Sequence, residues 1–285
     1  MKDTFFSSDF TFNAKGILHT FEKPIVMGIL NITPDSFFAG SRVNEEDEIL
    51  ARAKDMIEEG ASILDIGGYS SRPGAEDISE NEEIERIITP ILTIRKAFPE
   101  VLISVDTFRS KVARAGIEAG ANMINDISGG QMDAAMFRTV AELNCPYILM
   151  HMRGTPQNMS NNTDYNNIIS DLVQYFSKRI ALAHSAGIKD IIIDPGFGFS
   201  KTVEQNYVVL KSLEYLHVLE KPILLGVSRK SMIYKTLNTS PEESLNGTTI
   251  LNTIGLMKGT QILRVHDVKE AKEAIDLLHK LNTSD

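Results

Sequence analysis

Short apolar segments that end in polar or glycine-rich loops recur along this chain, and this repetition restricts the folds open to it. The clearest segment is residues 191–193, three isoleucines typical of a strand buried on both faces. Asp194 follows at the carboxyl end, and Pro195 and Gly196 then end the strand. Ligands bind at the carboxyl ends of strands in parallel α/β folds, so Asp194 is either a turn cap or a binding group.

The same unit occurs eight times, and helical periodicity separates successive copies. The predicted strands are residues 25–32, 62–66, 101–105, 122–124, 147–150, 191–193, 223–227 and 261–265. This alternation, without a linker, predicts an α/β protein with a (β/α)8 TIM barrel as a single domain over residues 1–285. A doubly wound open sheet is the alternative, but no Gly-x-Gly-x-x-Gly follows an early strand.

Local signals predict where several elements begin and end. Residues 10–21 predict a short N-terminal β-hairpin with its turn at residues 13–16, and we expect it to cover the bottom of the barrel. Asn44 is the expected cap of the first helix and Ser79 the expected cap of the second. A long helix is predicted from about residue 165 to residue 186.

Composition restricts the environment and the partners. The 285 residues are 42% hydrophobic, enough for a large core, and the net charge of -9 disfavours nucleic acid as a partner. The single cysteine, Cys145, excludes an internal disulfide and is expected to be a buried thiol. No signal peptide is evident, and the longest apolar run, residues 25–32, is too short to span a bilayer. We therefore expect a cytoplasmic protein with no membrane association.

Polar residues occupy the carboxyl ends of the predicted strands, which all open onto one face of a barrel. These residues are Asn31, Arg72, Asp106, Asn125, Asp194, Lys230, Arg264 and His266. Any one of them alone would be a turn cap or a solvated charge. Eight such residues at corresponding positions of different strands predict a shared binding site.

The strand positions divide these residues into two subsites. Asp106, Asn125, Asp194 and Lys230 suit a flat heterocycle with adjacent N–H donors and a carbonyl, such as a 2-amino-4-oxo-pyrimidine edge. The last strand neighbours the first in a closed barrel, so its polar residues lie near the first strand. The resulting cationic cluster suits a phosphate or a pyrophosphate. Its members are Asn31, Arg72, Arg264 and His266.

Loop motifs over nearly the whole chain resemble those of the dihydropteroate synthase family. The motifs are residues 27–37 (MGILNITPDSF), 71–74 (SRPG), 105–107 (VDT), 125–130 (NDISGG), 150–154 (MHMRG), 194–199 (DPGFGF), 228–230 (SRK) and 264–267 (RVHD). The resemblance implies a barrel, usually a homodimer, that uses Mg²⁺. It also implies condensation of 6-hydroxymethyl-7,8-dihydropterin pyrophosphate with p-aminobenzoate in folate biosynthesis, with release of pyrophosphate.

The resemblance also implies a role for each matching residue. The pterin would be held by Asp106, Asn125, Asp194 and Lys230. Asn31 would ligate Mg²⁺ together with the pyrophosphate, whose oxygens would be bound by Arg72, Arg264 and His266. The p-aminobenzoate site would be formed by Ser71, Pro73, Phe199, Ser228 and Lys230. Asp35 would help the first loop to close, and the residues that act in catalysis would be Asp35, Arg72, Asp106 and Lys230.

The chain departs from the family pattern at two places. Residues 38–42 replace a Ser-Asp-Gly-Gly-like run, and Tyr69 replaces the glutamate of a Glu-Ser-Thr-Arg-Pro motif. Two other functions stay open. One is a methyltransferase acting from methyl-tetrahydrofolate to a corrinoid protein, which has no use for a pyrophosphate cluster. The other is a non-catalytic pterin-binding paralogue.

Overall fold

A computed structural model describes residues 9–32, 42–70 and 77–284. The strands are β1 Phe10–Ala14, β2 Ile17–Phe21, β3 Ile25–Asn31, β4 Ala61–Gly67, β5 Leu102–Asp106, β6 Met123–Asp126, β7 Tyr147–Met150, β8 Ile191–Asp194, β9 Leu224–Leu225 and β10 Ile262–Val265. The α-helices are α1 Arg42–Glu58, α2 Glu80–Ala97, α3 Ser110–Ala119, α4 Met136–Leu143, α5 Ile168–Ser185, α6 Val203–Lys211, α7 Ser231–Leu237, α8 Leu245–Met257 and α9 Val268–Thr283. Short 3₁₀ helices cover Met159–Asn161 and Leu213–Leu219.

Strands β3 to β10 form one eight-stranded parallel sheet in the order β8-β7-β6-β5-β4-β3-β10-β9. A parallel bridge between Ile193 and Ile223 joins the two ends of this sheet. The predicted (β/α)8 TIM barrel is therefore confirmed, and the doubly wound open sheet is wrong. The last strand, β10, pairs with the first, β3, as expected for a closed barrel.

The hairpin β1–β2 covers the N-terminal end of the barrel, as predicted. Phe10 and Phe12 pack against the lowest layer of side chains inside the barrel. That layer consists of Ile25, Met27, Ile63, Leu102, Met123, Ile148, Ile192, Leu224 and Ile262. Lys15 and Gly16 form the turn with φ of 53° and 82°, and the Asn13 side chain accepts a hydrogen bond from the Gly16 N–H at 3.0 Å. The apolar plug thus lies at the end of the barrel opposite the carboxyl ends of the strands.

The barrel interior changes from apolar to polar toward the carboxyl ends of its strands. Side chains alternate along each strand, so residues two apart share a face. Met123 therefore lies below Asn125 on β6, and Ile192 lies below Asp194 on β8. Asp106 is the register partner of Asn125. The strand geometry alone thus places polar groups above an apolar layer.

Two predicted helix starts are wrong, and one is confirmed. The helix α1 begins at Arg42 rather than after Asn44, because arginine and valine are tolerated in a helix and extend it past the asparagine signal. The helix α5 begins after Asn167, whose side chain accepts a hydrogen bond from the Ser170 N–H at 3.1 Å. Ser79 caps α2 as predicted, through a 3.2 Å bond to the Glu82 N–H. No helix within the described ranges is long and apolar enough to cross a bilayer.

Candidate active site

Four strands bring together an ion-pair network at the floor of the cavity. Arg264 on β10 donates from Nε to Asp65 at 2.6 Å and from a terminal nitrogen to Asp106 at 2.7 Å. Asn125 donates its amide to the same oxygen of Asp65 at 3.0 Å. The guanidinium of Arg264 therefore forms ion pairs with two carboxylates. Burial raises the pKa of Asp106 to about 7; the Arg264 cation opposes this rise, and the charge on Asp65 adds to it.

The carboxylate of Asp194 and the ammonium of Lys230 form the adjacent side of the floor. Asp194 accepts the Gly196 N–H at 2.7 Å, while Lys230 donates to the carbonyl of Phe197 and lies 4.6 Å from the Phe199 ring centroid. Burial raises the pKa of Asp194, although Lys230 opposes the rise. Burial also lowers the pKa of Lys230 to about 8, although Asp194 opposes the decrease. Both groups keep hydrogen-bonding capacity for a ligand.

Apolar side chains line the same cavity as this polar floor and form an apolar slot. Tyr69, Ile127, Met150 and Phe199 line the cavity and belong to one hydrophobic cluster. The Tyr69 hydroxyl accepts a hydrogen bond from Gln157 at 3.0 Å, which links the loops after β4 and β7 across the rim. A planar aromatic ring fits such a slot, because its faces meet apolar atoms and its edge meets the polar floor.

His266 lies at the edge of the site and is bound to Ser228. Its Nδ1 lies 3.0 Å from the Ser228 hydroxyl, which also accepts the His266 backbone N–H at 3.2 Å. Burial, together with the nearby Arg264 and Arg229, lowers the pKa of His266 to about 4. The lowered pKa disfavours the imidazolium form, so His266 adds less positive charge to the predicted cationic cluster than a protonated histidine would.

The structure brings most of the predicted site residues together. The predicted residues that line one cavity are Asn31, Asp106, Asn125, Asp194, Phe199, Lys230 and Arg264. Ser228 and His266 pair with each other beside Arg264. The predicted residues Asp35, Ser71, Arg72 and Pro73 lie outside the described residues, as does most of the departure at residues 38–42.

Two of the buried charged residues that had no predicted role contact the site or its loops, Asp65 and Lys201. Asp65 is fully buried, and its Oδ1 has no hydrogen-bond partner within the described part of the chain. Its signal was a lone carboxylate within the apolar run 63–66. Lys201 is also buried, with only 8% of its surface exposed. Its signal was its position at the end of the glycine-rich loop that follows Asp194.

Neither Cys145 nor the acidic and histidine side chains of the described residues form a thiolate or clustered metal site. Cys145 is buried, and burial raises the pKa of its thiol to about 12, which confirms its structural character. Among the described residues, no group of three or more His, Cys, Asp or Glu side chains is arranged to hold a metal ion.

Comparisons with known proteins agree with this geometry. The family described as "Pterin binding enzyme" matches residues 27–266. A dihydropteroate synthase of Clostridium beijerinckii is 46% identical over 256 residues, covering 89% of this chain and 92% of the relative. The crystal structure of Yersinia pestis dihydropteroate synthase with a sulfonamide drug complex superposes with a TM-score of 0.90 at 39% identity, covering 96% of this chain and 100% of that chain. The structure of a Xanthomonas albilineans dihydropteroate synthase with 4-aminobenzoic acid superposes with a TM-score of 0.89 at 34% identity, covering 96% of this chain and 99% of that chain.

Fold, site and comparisons together define the class. The chain belongs to the family of pterin-binding enzymes. Its function within that family is that of a dihydropteroate synthase, a transferase of folate biosynthesis. The alternative methyltransferase function is not the one that these relatives carry.

Proposed function

We propose that the cavity at the carboxyl ends of the strands is where 6-hydroxymethyl-7,8-dihydropterin pyrophosphate condenses with p-aminobenzoate. The observation that carries this proposal is the convergence of polar groups from different strands in the same cavity as an apolar slot. These groups are Asp106, Asn125, Asp194, Lys230 and Arg264. The X. albilineans structure with 4-aminobenzoic acid supports the choice of the second substrate.

The floor residues hold the pterin. The carboxylate of Asp194 accepts N–H bonds from the aminopyrimidine edge, and Lys230 donates to its carbonyl oxygen. Asn125 supplies a further amide contact to the pterin. Its side chain donates a hydrogen bond to Asp65, and this bond sets the orientation of the amide group. Asp106 lies on the other side of the ring with Arg264 bound to it. Buried, charge-assisted contacts of this kind discriminate strongly against rings that lack the matching N–H groups.

The pyrophosphate lies toward β3 and β10. Asn31, at the end of β3, lines the cavity and offers an amide oxygen, which is a ligand that Mg²⁺ accepts. Mg²⁺ in enzyme sites commonly takes one or two protein oxygens and completes its shell with phosphate oxygens and water, so a single Asn31 oxygen fits. When bound there, the ion would offset charge on the leaving pyrophosphate. Arg72, Arg264 and His266 bind the remaining oxygens.

The reaction needs no protein nucleophile. The bond between the pterin methylene carbon and the pyrophosphate oxygen breaks, and Arg72, Arg264 and His266 stabilise the negative charge that develops on the leaving group. The methylene cation is conjugated with the ring, and the Asp106 carboxylate stabilises it electrostatically. The amine of p-aminobenzoate then attacks this carbon and loses a proton. Phe199, Ser228, Lys230, Ser71 and Pro73 hold the acceptor, and Asp35 helps the first loop to cover both substrates.

The remaining proposals concern the whole chain. Residues 1–285 act as one domain, because strands β3 to β10 share a single sheet that spans most of the chain. The protein works as a homodimer in the cytoplasm and has no nucleic acid or membrane partner. The exposed apolar residues Ile250 and Met257 on α8, together with Leu277 on α9, support the dimer. The net charge of -9 supports the absence of a nucleic acid partner.

The test is a pyrophosphate-release assay. Purified protein with both substrates and Mg²⁺ should release pyrophosphate and form 7,8-dihydropteroate in equal amounts, and chelation of the metal should abolish both. Omission of p-aminobenzoate is the control, and it should stop sustained release. Pyrophosphate release that does not depend on p-aminobenzoate would contradict the proposal. Pterin binding without any release would identify a non-catalytic paralogue.

A further inference from the structure

The buried side chain of Lys201 binds the back of the loop that joins β8 to α6. Its ammonium donates to the carbonyl oxygens of Gly196 at 3.0 Å and Phe199 at 3.1 Å. Its third contact is Nδ1 of His151, also at 3.1 Å. The ammonium is buried but fully hydrogen-bonded, which makes its burial tolerable. Lys201 is absent from the cavity lining and from the roles assigned above.

The loop cannot hold its shape by backbone preference alone. Gly196, Gly198 and Ser200 have positive φ values of 71°, 78° and 46°, and a serine in this region costs energy. A β-carbon on Gly196 would lie 2.0 Å from the carbonyl oxygen of His151, so the loop lies directly against the end of β7. The Gly196 carbonyl accepts the Phe199 N–H at 3.1 Å, and Lys201 adds a second donor to it as well as a donor to the Phe199 carbonyl.

Two lysines hold this loop from opposite sides. Lys230 donates to the Phe197 carbonyl from the cavity side, and Lys201 donates to Gly196 and Phe199 from the interior. The loop begins at Asp194, at the pterin floor, and Phe199, at the acceptor wall, lies within it. Lys201 therefore binds the segment of chain that connects these two side chains.

The neighbours of Lys201 favour hydrogen bonds to the loop in either charge state of the lysine. Burial, followed by the charge of Lys201, lowers the pKa of His151 well below its usual range, so the ring stays neutral and its Nδ1 accepts a hydrogen bond. The His151 ring packs edge-on against Tyr175 with centroids 4.7 Å apart, which defines the direction of Nδ1. Burial lowers the pKa of Lys201 to about 7, and the neutral amine would still keep two N–H donors for the two carbonyls. The other charged groups near Lys201 are Asp194, Lys230 and Arg153.

We propose that Lys201 is a positioning residue for the condensation: it holds Asp194 and Phe199 at the separation that a pterin and an aminobenzoate ring require. Lys201 touches neither substrate. This inference rests on the proposed function, because it takes Asp194 as a pterin ligand and Phe199 as part of the acceptor site.

The test replaces Lys201 by methionine, which keeps the apolar stem and removes the ammonium. K201M should bind a simple pterin about tenfold more weakly and raise the KM for p-aminobenzoate by a similar factor, the loss expected for one charge-assisted contact. Its kcat should stay within about threefold of wild type, because an interaction that is equally strong in the ground state and the transition state affects KM rather than kcat. Affinity for Mg²⁺ and inorganic pyrophosphate should not change, because the pyrophosphate subsite lies on β3 and β10. K189M, the same substitution at an exposed site just before β8, is the matched control.

Global destabilisation of the protein would produce a different result from the loss of the Lys201 hydrogen bonds to the loop. If K201M weakens pyrophosphate as much as pterin, or leaves pterin affinity and both KM values at the wild-type level, the proposal is overturned. If K201M fails to fold in a thermal melt, His151→Phe carries the test, since it removes one acceptor and retains a ring of similar size. H151F should show the same selective loss at about threefold, and unchanged pterin affinity in H151F would overturn the proposal.

The Asp194→Asn variant separates this inference from the proposed function. If D194N loses pterin affinity and K201M does not, only the role of Lys201 fails. If D194N retains pterin affinity, the assignment of the pterin floor fails.

Discussion

Burial determines the charge state of individual residues in this site. It raises the pKa of Asp106 to about 7 and lowers the pKa of Lys230 to about 8, so both groups titrate near neutral pH. The neutral His266 and the shared Arg264 leave little uncompensated positive charge among the described residues of the site. In the proposed function, the charge of the pyrophosphate would therefore have to be met by Arg72, by Mg²⁺, or by Arg264 after it leaves one of its two carboxylates.

Asp194→Asn should weaken pterin binding while leaving the fold intact. The asparagine keeps the size but turns one acceptor oxygen into a donor that faces a ligand donor, a cost of roughly 2–5 kcal/mol in affinity. Stability should change little or rise, because burial of this carboxylate is itself unfavourable, as its raised pKa indicates. Titration calorimetry with a simple pterin measures the first effect and a thermal melt the second. Unchanged affinity in a folded variant would mean that Asp194 only caps its turn.

His266 should make the protein less stable in acid. Its pKa of about 4 in the folded protein lies below the usual value of 6.5, so the unfolded chain binds more protons between these two pH values. The stability that His266 contributes is complete above pH 6.5 and is lost as the pH falls toward 4. As the pH falls from 6.5 to 4, the free energy of unfolding should therefore decrease less in the His266→Gln variant than in the wild-type protein. Urea unfolding at several pH values tests this, and identical losses in both proteins would refute it.

At the scale of secondary-structure elements, the N-terminal hairpin acts as a plug for the barrel. Phe12 is 1% exposed and packs against the lowest apolar layer, whereas Ile17 on β2 is 62% exposed. The plug and the site lie at opposite ends of the strands, so stability and catalysis should separate.

Phe12→Ala should lower the free energy of unfolding by about 3–5 kcal/mol, the usual cost of removing a buried phenylalanine. Both KM values should stay at the wild-type level in the protein that remains folded. Ile17→Ala, on the exposed strand of the same hairpin, is the control and should change stability by less than about 0.5 kcal/mol. A large change in KM for F12A would show that the hairpin influences the site.

At the scale of the whole molecule, the helices α8 and α9 pack against each other, and each carries large exposed apolar residues. Met257 is 68% exposed and Leu277 is 73% exposed. Large exposed apolar residues on two adjacent helices favour an interface between subunits.

Wild-type protein should sediment as a dimer, and Met257→Glu should shift it toward monomer, because the interface would then bury an unpaired charge. Leu92→Glu, at a 52% exposed position on α2, is the matched control and should remain dimeric. Sedimentation velocity at micromolar concentration distinguishes these outcomes. A monomeric wild type would contradict the proposed homodimer.

Several features were predictable from sequence because their signals are local. Alternating strands and helices predicted the barrel, and the position of each polar residue at a strand end predicted the convergence of Asp106, Asn125 and Asp194. Helix starts were less predictable. A cap contributes only about 1 kcal/mol, so a neighbouring residue easily extends the helix past Asn44 or moves the start to Asn167.

The sequence by itself determined the barrel, its plug and the set of strand-end residues, because side-chain alternation and helical periodicity act over a few residues. Only the tertiary structure decided how those residues are paired and charged. Arg264 binds Asp65 across 199 positions of chain, and Lys201 meets His151 across 50. The neutrality of His266 likewise depends on desolvation, which is a property of the surrounding packing. Ion pairing and desolvation depend on distances in space, and those distances exist only once the barrel has closed.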